Sequence, residues 1–509
     1  MRNWLLEKTT VLLFFCCFPL FCNAQSAYNI AIEMKNCNDT IAYLTFYQMD
    51  KTYIKDTCQK IKNGKIIFKG KEKLENGIYS LVNQNKSIVF DFFIDENTQN
   101  LKLNGDSNNL RREAAAQNSD QENEFFNYTK FLVAQNEKFI NTKNLIKGLS
   151  KTDSIAKLTA IQKELETNIQ EYESQVAEKN KGSYLGDFLN LKREKILKDI
   201  PKATNGRPDS LKVYQYYKTH YWDGVDFKDA VITRNPFFYT KLKKYFDTLI
   251  FKNPDSVIVE VDRIMRKPDQ GSLLYKLLLA HFTTTYENYS IMGFEKVFVH
   301  MSDNYFKTGK AVGTYEDDVI ERIIKRSEKI KPLLIGSLAP NLFMIKASDR
   351  DKMVKMGFEN AKTSAEVTEI YYNNTDQINS LFYKMHDIVA DFLIVVFWDV
   401  DCGHCQKEIP KLLEEYHNLQ KENKDVKVLS VYTQQEGDKY LKYIEDHKLD
   451  WINVYDGSFF NNVTEKYDIY STPVIYVLDK NKIIKAKRIG VEQIKPIIKD
   501  IESEYQKTK

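Results

Sequence analysis

Glycine and proline are scarce in this sequence, with 19 glycines and 11 prolines among 509 residues, about half the usual usage. This scarcity excludes a collagen-like or linker-dominated chain and favours long helices. An excess of one charge is also lacking, because 74 basic and 70 acidic residues leave a formal net charge of only +4. No block of about five like charges occurs either. The sequence therefore gives no indication of nucleic-acid binding.

Long hydrophobic runs are lacking beyond the first 24 residues. An apolar run at 11–22 follows two basic residues and leads into the small residues of a signal-peptidase site, the last of which is Ala24. No segment reaches the ~18 consecutive apolar residues typical of a membrane span. We therefore predict a signal peptide at 1–24, cleaved between Ala24 and Gln25. The mature chain would be a periplasmic protein of the cell envelope without a transmembrane span.

A lipid-anchored outer-membrane protein is the alternative for this leader. Cys22 would then carry the lipid, but the bulky Phe21 precedes it where a lipidation site needs a small residue. We therefore favour secretion with cleavage over a lipid anchor.

Three of the seven cysteines lie in the predicted signal peptide, which leaves Cys37, Cys58, Cys402 and Cys405. An even number of cysteines in an exported protein suggests disulfides. Cys37 and Cys58 have 20 residues between them. They either form a structural disulfide, which could add about 3 kcal/mol of stability, or remain two buried free thiols.

The pattern of apolar residues divides the mature chain into three predicted domains. Residues 25–112 alternate as in strands and contain a predicted hairpin at 60–68 around Asn63-Gly64, which favours a small all-β sandwich-like unit. Residues 113–334 show helical spacing, including a long amphipathic helix and shorter helices bordered by prolines. Residues 335–509 alternate strands and helices, so we expect an α/β domain there.

In the last domain the sequence predicts five strands and four helices in alternating order. The predicted strands are 391–398, 426–432, 451–454, 474–479 and 482–488. The predicted helices are 403–421, 436–447, 459–467 and 491–506. The fold class is therefore multidomain, with an all-β unit, an α-helical middle domain and a carboxy-terminal α/β domain.

The strongest chemical signal is Cys402-Gly403-His404-Cys405, which follows a buried strand and opens a helix. Unpaired N–H groups and the positive end of the dipole at a helix N-terminus stabilise a thiolate and lower its pKa. Cys402 is therefore the expected attacking thiolate, and Cys405, one turn further on, the resolving thiol. His404 can add positive charge or a hydrogen bond to that thiolate.

These residues resemble the thioredoxin fold, specifically the TlpA/ResA-like envelope thioredoxins. The resemblance covers about 335–507 and includes Phe397-Trp398, the CGHC tetrad, Glu408-Ile409-Pro410 and Thr472-Pro473. It implies a thiol–disulfide oxidoreductase that needs no cofactor or metal. It also implies protein thiols and disulfides as substrates, and a membrane or periplasmic protein as electron partner.

The resemblance also implies roles for individual residues. Thr472-Pro473 matches the cis-proline loop that packs against the CxxC motif and presents backbone to an extended substrate. Glu408 matches the acidic residue near the second cysteine, where a carboxylate can take the proton from Cys405. Trp398 and Gly403 match positions that tune the reactivity of the cysteine pair Cys402 and Cys405. Val396 and Asp401 depart from cytosolic thioredoxins, which carry Asp and Trp there, so proton transfer should depend on Glu408.

Each of these assignments has an alternative. The CxxC motif can be half of a zinc site, but the sequence has no second CxxC or His pair to complete it. His404 and Glu408 can be solvated surface residues, and Pro473 an ordinary trans turn proline. A peroxidatic site is disfavoured, because Asp399 stands where peroxiredoxins carry Thr and because a second cysteine follows three residues after the first.

The first two domains resemble two uncharacterised domains that accompany envelope thioredoxins, and neither implies an activity. The helical one contains an aromatic cluster that could line a peptide groove or belong to the core: Tyr214, Tyr216, Tyr217, Tyr221 and Trp222. The sequence therefore predicts an exported thiol–disulfide oxidoreductase. The alternative is an envelope binding or scaffold protein with an accessory redox-active thioredoxin module.

Overall fold

The structure is a computed structural model, which describes residues 27–507 except 147–149, 196, 198, 362, 435 and 457–459. The predicted signal peptide and its cleavage site lie outside the described residues. The chain divides into two compact units, residues 1–245 and 246–509. This division lies within the predicted helical domain 113–334, so the predicted domain boundaries stay predictions.

The first unit begins with a β-sandwich, as the sequence predicts. Its described strands form two four-stranded sheets with the orders β4-β1-β7-β8 and β3-β2-β5-β6. Alternate residues of β1 are buried, and residues of both sheets share one apolar core. The strands are β1 (Tyr28–Lys35), β2 (Ala42–Gln48), β3 (Lys51–Cys58), β4 (Lys65–Gly70), β5 (Gly77–Val82), β6 (Ile88–Ile94), β7 (Asn100–Asp106) and β8 (Ala115–Ala116).

The hairpin predicted at 60–68 is wrong in part. Asn63 and Gly64 form a turn with φ of 50° and 70°, and a Cβ on Gly64 would lie 2.0 Å from the Met34 carbonyl oxygen. However, only an isolated bridge between Lys62 and Lys65 precedes β4. The strand before the turn, β3, pairs with β2 in one sheet, and β4 pairs with β1 in the other.

Helices make up the rest of the first unit. Serine or aspartate residues cap several of them by accepting a hydrogen bond from a backbone N–H of the first turn, as Ser119 does for α2 and Asp209 for α5. The helices are α1 (Leu110–Glu113), α2 (Asp120–Leu145), α3 (Lys151–Lys179), α4 (Tyr184–Lys192), α5 (Ser210–His220) and α6 (Pro236–Thr248), which ends three residues into the second unit.

The second unit starts with four helices: α7 (Pro254–Met265), α8 (Leu273–Glu287), α9 (Glu295–Met301) and α10 (Asp317–Ile330). The helical spacing of the sequence predicts helices at 255–266, 271–287 and 315–330, which correspond to α7, α8 and α10, and it does not predict α9. None of the helices in the described part of the chain has the length and apolar character of a membrane span.

A mixed sheet with the order β10-β9-β13-β12-β11-β14-β15 follows. Its strands are β9 (Phe343–Lys346), β10 (Phe382–Lys384), β11 (Phe392–Trp398), β12 (Val426–Tyr432), β13 (Ile452–Tyr455), β14 (Val474–Asp479) and β15 (Ile484–Lys487). The helices around it are α11 (Arg350–Lys355), α12 (Ser364–Asn373), α13 (Thr375–Leu381), α14 (Cys405–Lys421), α15 (Gly437–His447), α16 (Val463–Lys466) and α17 (Ile494–Lys507).

The interior strand β11 is buried along its whole length, as expected for a strand covered on both faces. It runs parallel to β12 and antiparallel to β14. Residues such as Val396 and Trp398 pack into one core, and Val395 and Phe397 into the core on the other face. The domain therefore has the α/β thioredoxin fold that the sequence predicts.

Candidate active site

The turn between β11 and α14 places Cys402 immediately before the helix. The Asp399 carboxylate accepts a hydrogen bond from the N–H of Asp401 at 2.9 Å, and the Asp399 carbonyl oxygen accepts one from the N–H of Cys402 at 3.3 Å. The Cys402 carbonyl oxygen accepts the N–H of Gln406 at 3.0 Å, so the first turn of the helix closes on this residue. Cys402 therefore lies at the helix N-terminus, as the sequence predicts.

Two distant segments meet at the sulfur of Cys402. The backbone N–H of Cys405 donates to it, with nitrogen and sulfur 3.4 Å apart. The thiol itself donates to the carbonyl oxygen of Thr472 at 3.3 Å. The peptide bond between Thr472 and Pro473 is cis. The structure thus brings together four of the predicted site residues: Cys402, Cys405, Thr472 and Pro473.

The two thiols of the pair have opposite environments. Partial burial acts to raise the pKa of Cys402, but hydrogen bonds with the Thr472 side chain, with the thiol and N–H of Cys405, and with the N–H of His404 outweigh it. The pKa of Cys402 is therefore lowered. Burial raises the pKa of the fully buried Cys405 to about 12. A negative charge in this pair thus resides on Cys402.

Trp398 forms the floor of the site rather than part of its surface. It is fully buried, and its indole N–H donates to the Ser430 hydroxyl at 2.7 Å. Its ring packs edge-on against Tyr440 and Tyr443, with centroids 5.7 and 5.0 Å apart. Trp398 can tune the cysteine pair only through packing, because no substrate can reach it.

Glu408 lies on α14, one turn beyond Cys405, and is half-buried. Its carboxylate accepts a hydrogen bond from the Lys411 ammonium group at 2.7 Å. The groups that act most strongly on the Cys405 thiol are instead the Asp399 N–H, Cys402 and Thr472. The role of Glu408 as proton acceptor for Cys405 stays a prediction. Its carboxylate is already engaged by the Lys411 ammonium group.

The two residues between the cysteines are exposed. His404 acts on the Cys402 sulfur through its backbone N–H, so a contribution of its imidazole ring stays a prediction. A Cβ added at Gly403 would meet nothing within 4 Å, so this position faces solvent.

Tyr443 on α15 is a site residue that the sequence analysis missed. Its hydroxyl is buried and has no hydrogen-bond partner among the described residues. Burial first, and then the charge of Cys405, raise the pKa of Tyr443. The tyrosine is 38 residues away from Cys405 in sequence. No local pattern could have revealed this proximity, because it depends on how α15 packs against the sheet.

The remaining candidates lie in the first unit. Cys37 and Cys58 are free thiols, half-buried beside the core of the sandwich, so their disulfide stays a prediction. In the aromatic cluster, Trp222 is buried against Phe227 and Tyr245, which favours the core interpretation for that residue. Among the described residues no three His, Cys, Asp or Glu side chains are grouped as in a metal site.

Three family models match separate segments of the chain. The AhpC/TSA family matches residues 372–487. Two domains of unknown function, DUF5106 and DUF4369, match residues 157–329 and 28–125. No curated protein matches the chain.

Several solved structures are similar to the chain. A domain of a possible thiol-disulfide isomerase from Cytophaga hutchinsonii is 32% identical, and the match covers 35% of this chain and 99% of that one, with a TM-score of 0.27. A thioredoxin-like protein from Bacteroides caccae is 18% identical over 60% of this chain and 99% of that one, with a TM-score of 0.34. A thiol:disulfide interchange protein from a Bacteroides species is 22% identical over 32% of this chain and 88% of that one, with a TM-score of 0.23.

The chain therefore belongs to the thioredoxin-like proteins. Its carboxy-terminal part is a thioredoxin-like domain of the AhpC/TSA family, and two domains of unknown function precede it.

Proposed function

We propose that this protein is an exported thiol–disulfide oxidoreductase that exchanges electrons with protein disulfides through Cys402 and Cys405. The observation that carries the proposal is the contrast between the two thiols. Cys402 lies at the helix N-terminus with a lowered pKa, whereas Cys405 is buried with a pKa of about 12. This contrast assigns nucleophilic attack to Cys402 and resolution to Cys405.

In the reducing direction, the Cys402 thiolate attacks one sulfur of a substrate disulfide. The substrate S–S bond breaks as the mixed disulfide forms, and the leaving thiolate takes a proton from solvent. Cys405 then loses its proton and attacks the Cys402 sulfur, which releases the second substrate thiol. The substrate gains two electrons and two protons, and the Cys402–Cys405 pair becomes a disulfide. The same steps run in reverse oxidise a substrate dithiol.

The environment of Cys405 makes its deprotonation the demanding step. Its thiol is buried, and Val396 provides no carboxylate on the strand beneath it, because this side chain is apolar and fully buried. Glu408 is the proton acceptor that the family resemblance implies. Burial and the charge of Cys405 raise the pKa of Tyr443, so its hydroxyl stays protonated and does not take this proton.

The reduction potential of the Cys402–Cys405 pair tests this proposal. It is measured on the full mature chain in glutathione redox buffers, with thiol trapping and mass spectrometry. A potential near −270 mV would indicate a reductase that needs a membrane electron donor, and one between about −180 and −120 mV an oxidase or isomerase. If the two thiols form no internal disulfide at any potential, the oxidoreductase proposal is wrong and the scaffold alternative replaces it.

Reaction rates with hydrogen peroxide and with glutathione disulfide distinguish a disulfide-exchange protein from a peroxidase. Hydrogen peroxide should oxidise Cys402 no faster than it oxidises an ordinary thiolate of the same pKa, whereas glutathione disulfide should react rapidly. A rate with peroxide far above the rate with disulfides would contradict the proposal.

Export is part of the proposal and has its own test. Expression in a related bacterium followed by cell fractionation should place the protein in the periplasm, with Gln25 as its first residue by amino-terminal sequencing. A chain that retains residues 1–24, or one that carries lipid on Cys22, would contradict it.

A further inference from the structure

A cavity of about 130 Å³ lies in the second unit, between the segment that follows α8 and the loop that leads to Thr472. Its wall includes Tyr470, two residues before Thr472. Two extended residues span about 7 Å. The cavity is therefore only a few residues of extended chain away from the Cys402 sulfur that contacts Thr472. A cavity of about this volume can hold one ring of the size of benzene.

The charges around the cavity cancel. Three cationic and three acidic side chains line it: Arg326, Lys487, Arg488, Glu287, Glu295 and Asp468. Asp468 binds both Arg326 and Arg488, and Lys487 pairs with Glu295 at 2.6 Å. All three cationic groups are therefore paired within the lining, and an anionic occupant would lose its hydration without gaining a free counter-charge. This arrangement disfavours an anionic occupant.

Three of the side chains that line the cavity are aromatic or apolar and also exposed. Tyr470 is 74% exposed, Ile291 46% and Met292 42%. The Met292 sulfur accepts a hydrogen bond from the Lys487 N–H at 3.3 Å, so the segment that carries it is attached to β15. Exposed apolar groups that cluster in this way mark interaction sites, and methionine adapts to side chains of different shape.

The segment that carries Tyr470 is held by contacts of Tyr470 itself and of Asp468. The Arg488 guanidinium lies 4.5 Å from the centre of its ring. Asp468, two residues earlier, is held by Arg326 of α10 as well as by Arg488, and the Arg326 Nη2 to Asp468 Oδ2 distance is 2.9 Å. The loop that carries Thr472 is thus linked to the helices that precede the sheet.

We propose that this cavity is a pocket for an apolar or aromatic side chain of the substrate polypeptide, located two or three residues from the cysteine that Cys402 attacks. The inference rests on the proposed function, because the substrate must lie across the Thr472 loop. A polypeptide that offers such a side chain next to a disulfide is an unfolded or misfolded protein, since folded proteins bury these residues. The pocket therefore selects non-native proteins as substrates.

A binding measurement tests the pocket without any redox reaction. The probe is a pair of heptapeptides with a central serine in place of cysteine, which carry either Phe or Asn two residues to each side. The protein is the full mature chain with Cys402→Ser and Cys405→Ser. We expect the Phe peptide to bind about tenfold more tightly than the Asn peptide. Tyr470→Ala and Ile291→Asp should each remove this preference.

Tyr372→Ala is the matched control, because Tyr372 is 73% exposed on α12 and does not line the cavity. It should retain the full preference for Phe. Equal binding of both peptides to the parent protein would overturn the pocket. A Tyr470→Ala variant that keeps the preference would overturn it as well.

Kinetics with a reactive probe then separate this inference from the proposed function. The same peptides with a central cysteine, as mixed disulfides with glutathione, should be reduced about tenfold faster when they carry Phe. Tyr470→Ala should abolish the difference and leave the rate with glutathione disulfide unchanged. An equal loss of rate on all substrates would overturn the pocket in favour of a general loop defect. A lack of exchange with glutathione disulfide in the parent protein would refute the proposed function, while the binding result would still decide on the pocket.

Discussion

The chain carries two pairs of cysteines in very different surroundings. Cys402 and Cys405 lie at the start of a helix and face the Thr472 loop, and their pKa values move in opposite directions. Cys37 follows β1, and Cys58 ends β3 opposite Ala42 of β2. Neither cysteine lies at a helix N-terminus, where backbone N–H groups converge. The backbone around each pair therefore favours a reactive thiolate at Cys402 and gives no such support to Cys37 or Cys58.

The redox chemistry proposed for this chain depends on the backbone around the cysteines rather than on the cysteines alone. The sulfur atoms are identical, and so is the number of cysteines in each pair. Only the carboxy-terminal pair has a backbone N–H on one thiol, at 3.4 Å from Cys402, and a buried partner thiol three residues on. Substitutions at the two pairs, and in the core that packs around Cys405, can break or sharpen this contrast.

The largest effect is expected when the nucleophile is removed. Cys402→Ser should reduce the rate of exchange with glutathione disulfide to that measured in buffer without protein, because no thiolate remains at position 402 to attack the disulfide. The double variant Cys37→Ser, Cys58→Ser should keep the full rate. Exchange is followed by mass spectrometry of the trapped thiols. A loss of exchange in the Cys37→Ser, Cys58→Ser variant would mean that the two pairs of cysteines act together.

Alkylation should separate the thiols by about three orders of magnitude. With a pKa of about 12, roughly one Cys405 thiol in 10⁴ is ionised at pH 8. Cys402 has a lowered pKa and should react with iodoacetamide at least ~10³-fold faster. Its rate should fall only when the pH drops below that lowered pKa. Peptide mapping measures all four sites, and similar rates at Cys402 and Cys405 would refute the assigned roles.

A smaller effect on the exchange rate is expected from a substitution beneath the cysteine pair, at Ser430. Ser430→Ala leaves the buried indole N–H of Trp398 without its acceptor, which costs about 1–3 kcal/mol. The urea midpoint should fall, and exchange should slow because Trp398 packs in the same core as Cys405. Ser80→Ala in the sandwich removes an equally buried hydroxyl that donates to Asp91 at 2.6 Å.

The Ser80→Ala variant is the control for that experiment. It should lower the stability of the first unit and leave the exchange rate of the cysteine pair unchanged. If both serine variants slowed exchange equally, the floor of the site would have no specific role.

The smallest effect is expected at Glu408. Glu408→Gln keeps a hydrogen-bond acceptor for Lys411 but cannot take a proton. We expect resolution of the mixed disulfide to slow about fivefold, less than the ~10²-fold of a fully engaged general base. Rapid-quench trapping measures this step. Lys411→Ala frees the carboxylate and should speed the step, and an unchanged rate in both variants would leave Glu408 without a role in proton transfer.

Much of the thioredoxin-like domain could be predicted from the sequence. The strands 426–432 and 474–479 are confirmed at their predicted bounds, and the helix at 403–421 begins two residues later, at Cys405. These elements are long or strongly apolar, so local pattern determines them. Short motifs specify two further features that agree with the sequence analysis. These are the position of Cys402 at a helix N-terminus and the cis bond before Pro473.

The elements that the sequence analysis missed depend on distant partners. β9 and β10 have four and three residues, too few to show a period, and they exist because they pair with each other and β9 with β13. The proximity of Tyr443 to Cys405, and the cavity beside Tyr470, also arise from packing between segments far apart in sequence. The predicted boundaries of the three domains, at 112/113 and 334/335, stay predictions.

The link between Arg326 and Asp468 has a practical consequence for work on isolated fragments. A fragment that starts at residue 335, the predicted beginning of the thioredoxin-like domain, excludes Arg326 and leaves Asp468 with Arg488 alone. It also removes Ile291 and Met292 from the rim beside Tyr470. Such a fragment would retain both reactive cysteines, and its chemistry with small disulfides should survive the excision. If the pocket beside Tyr470 binds substrate side chains as proposed, the fragment should lose the preference for the Phe peptide that we expect of the intact protein.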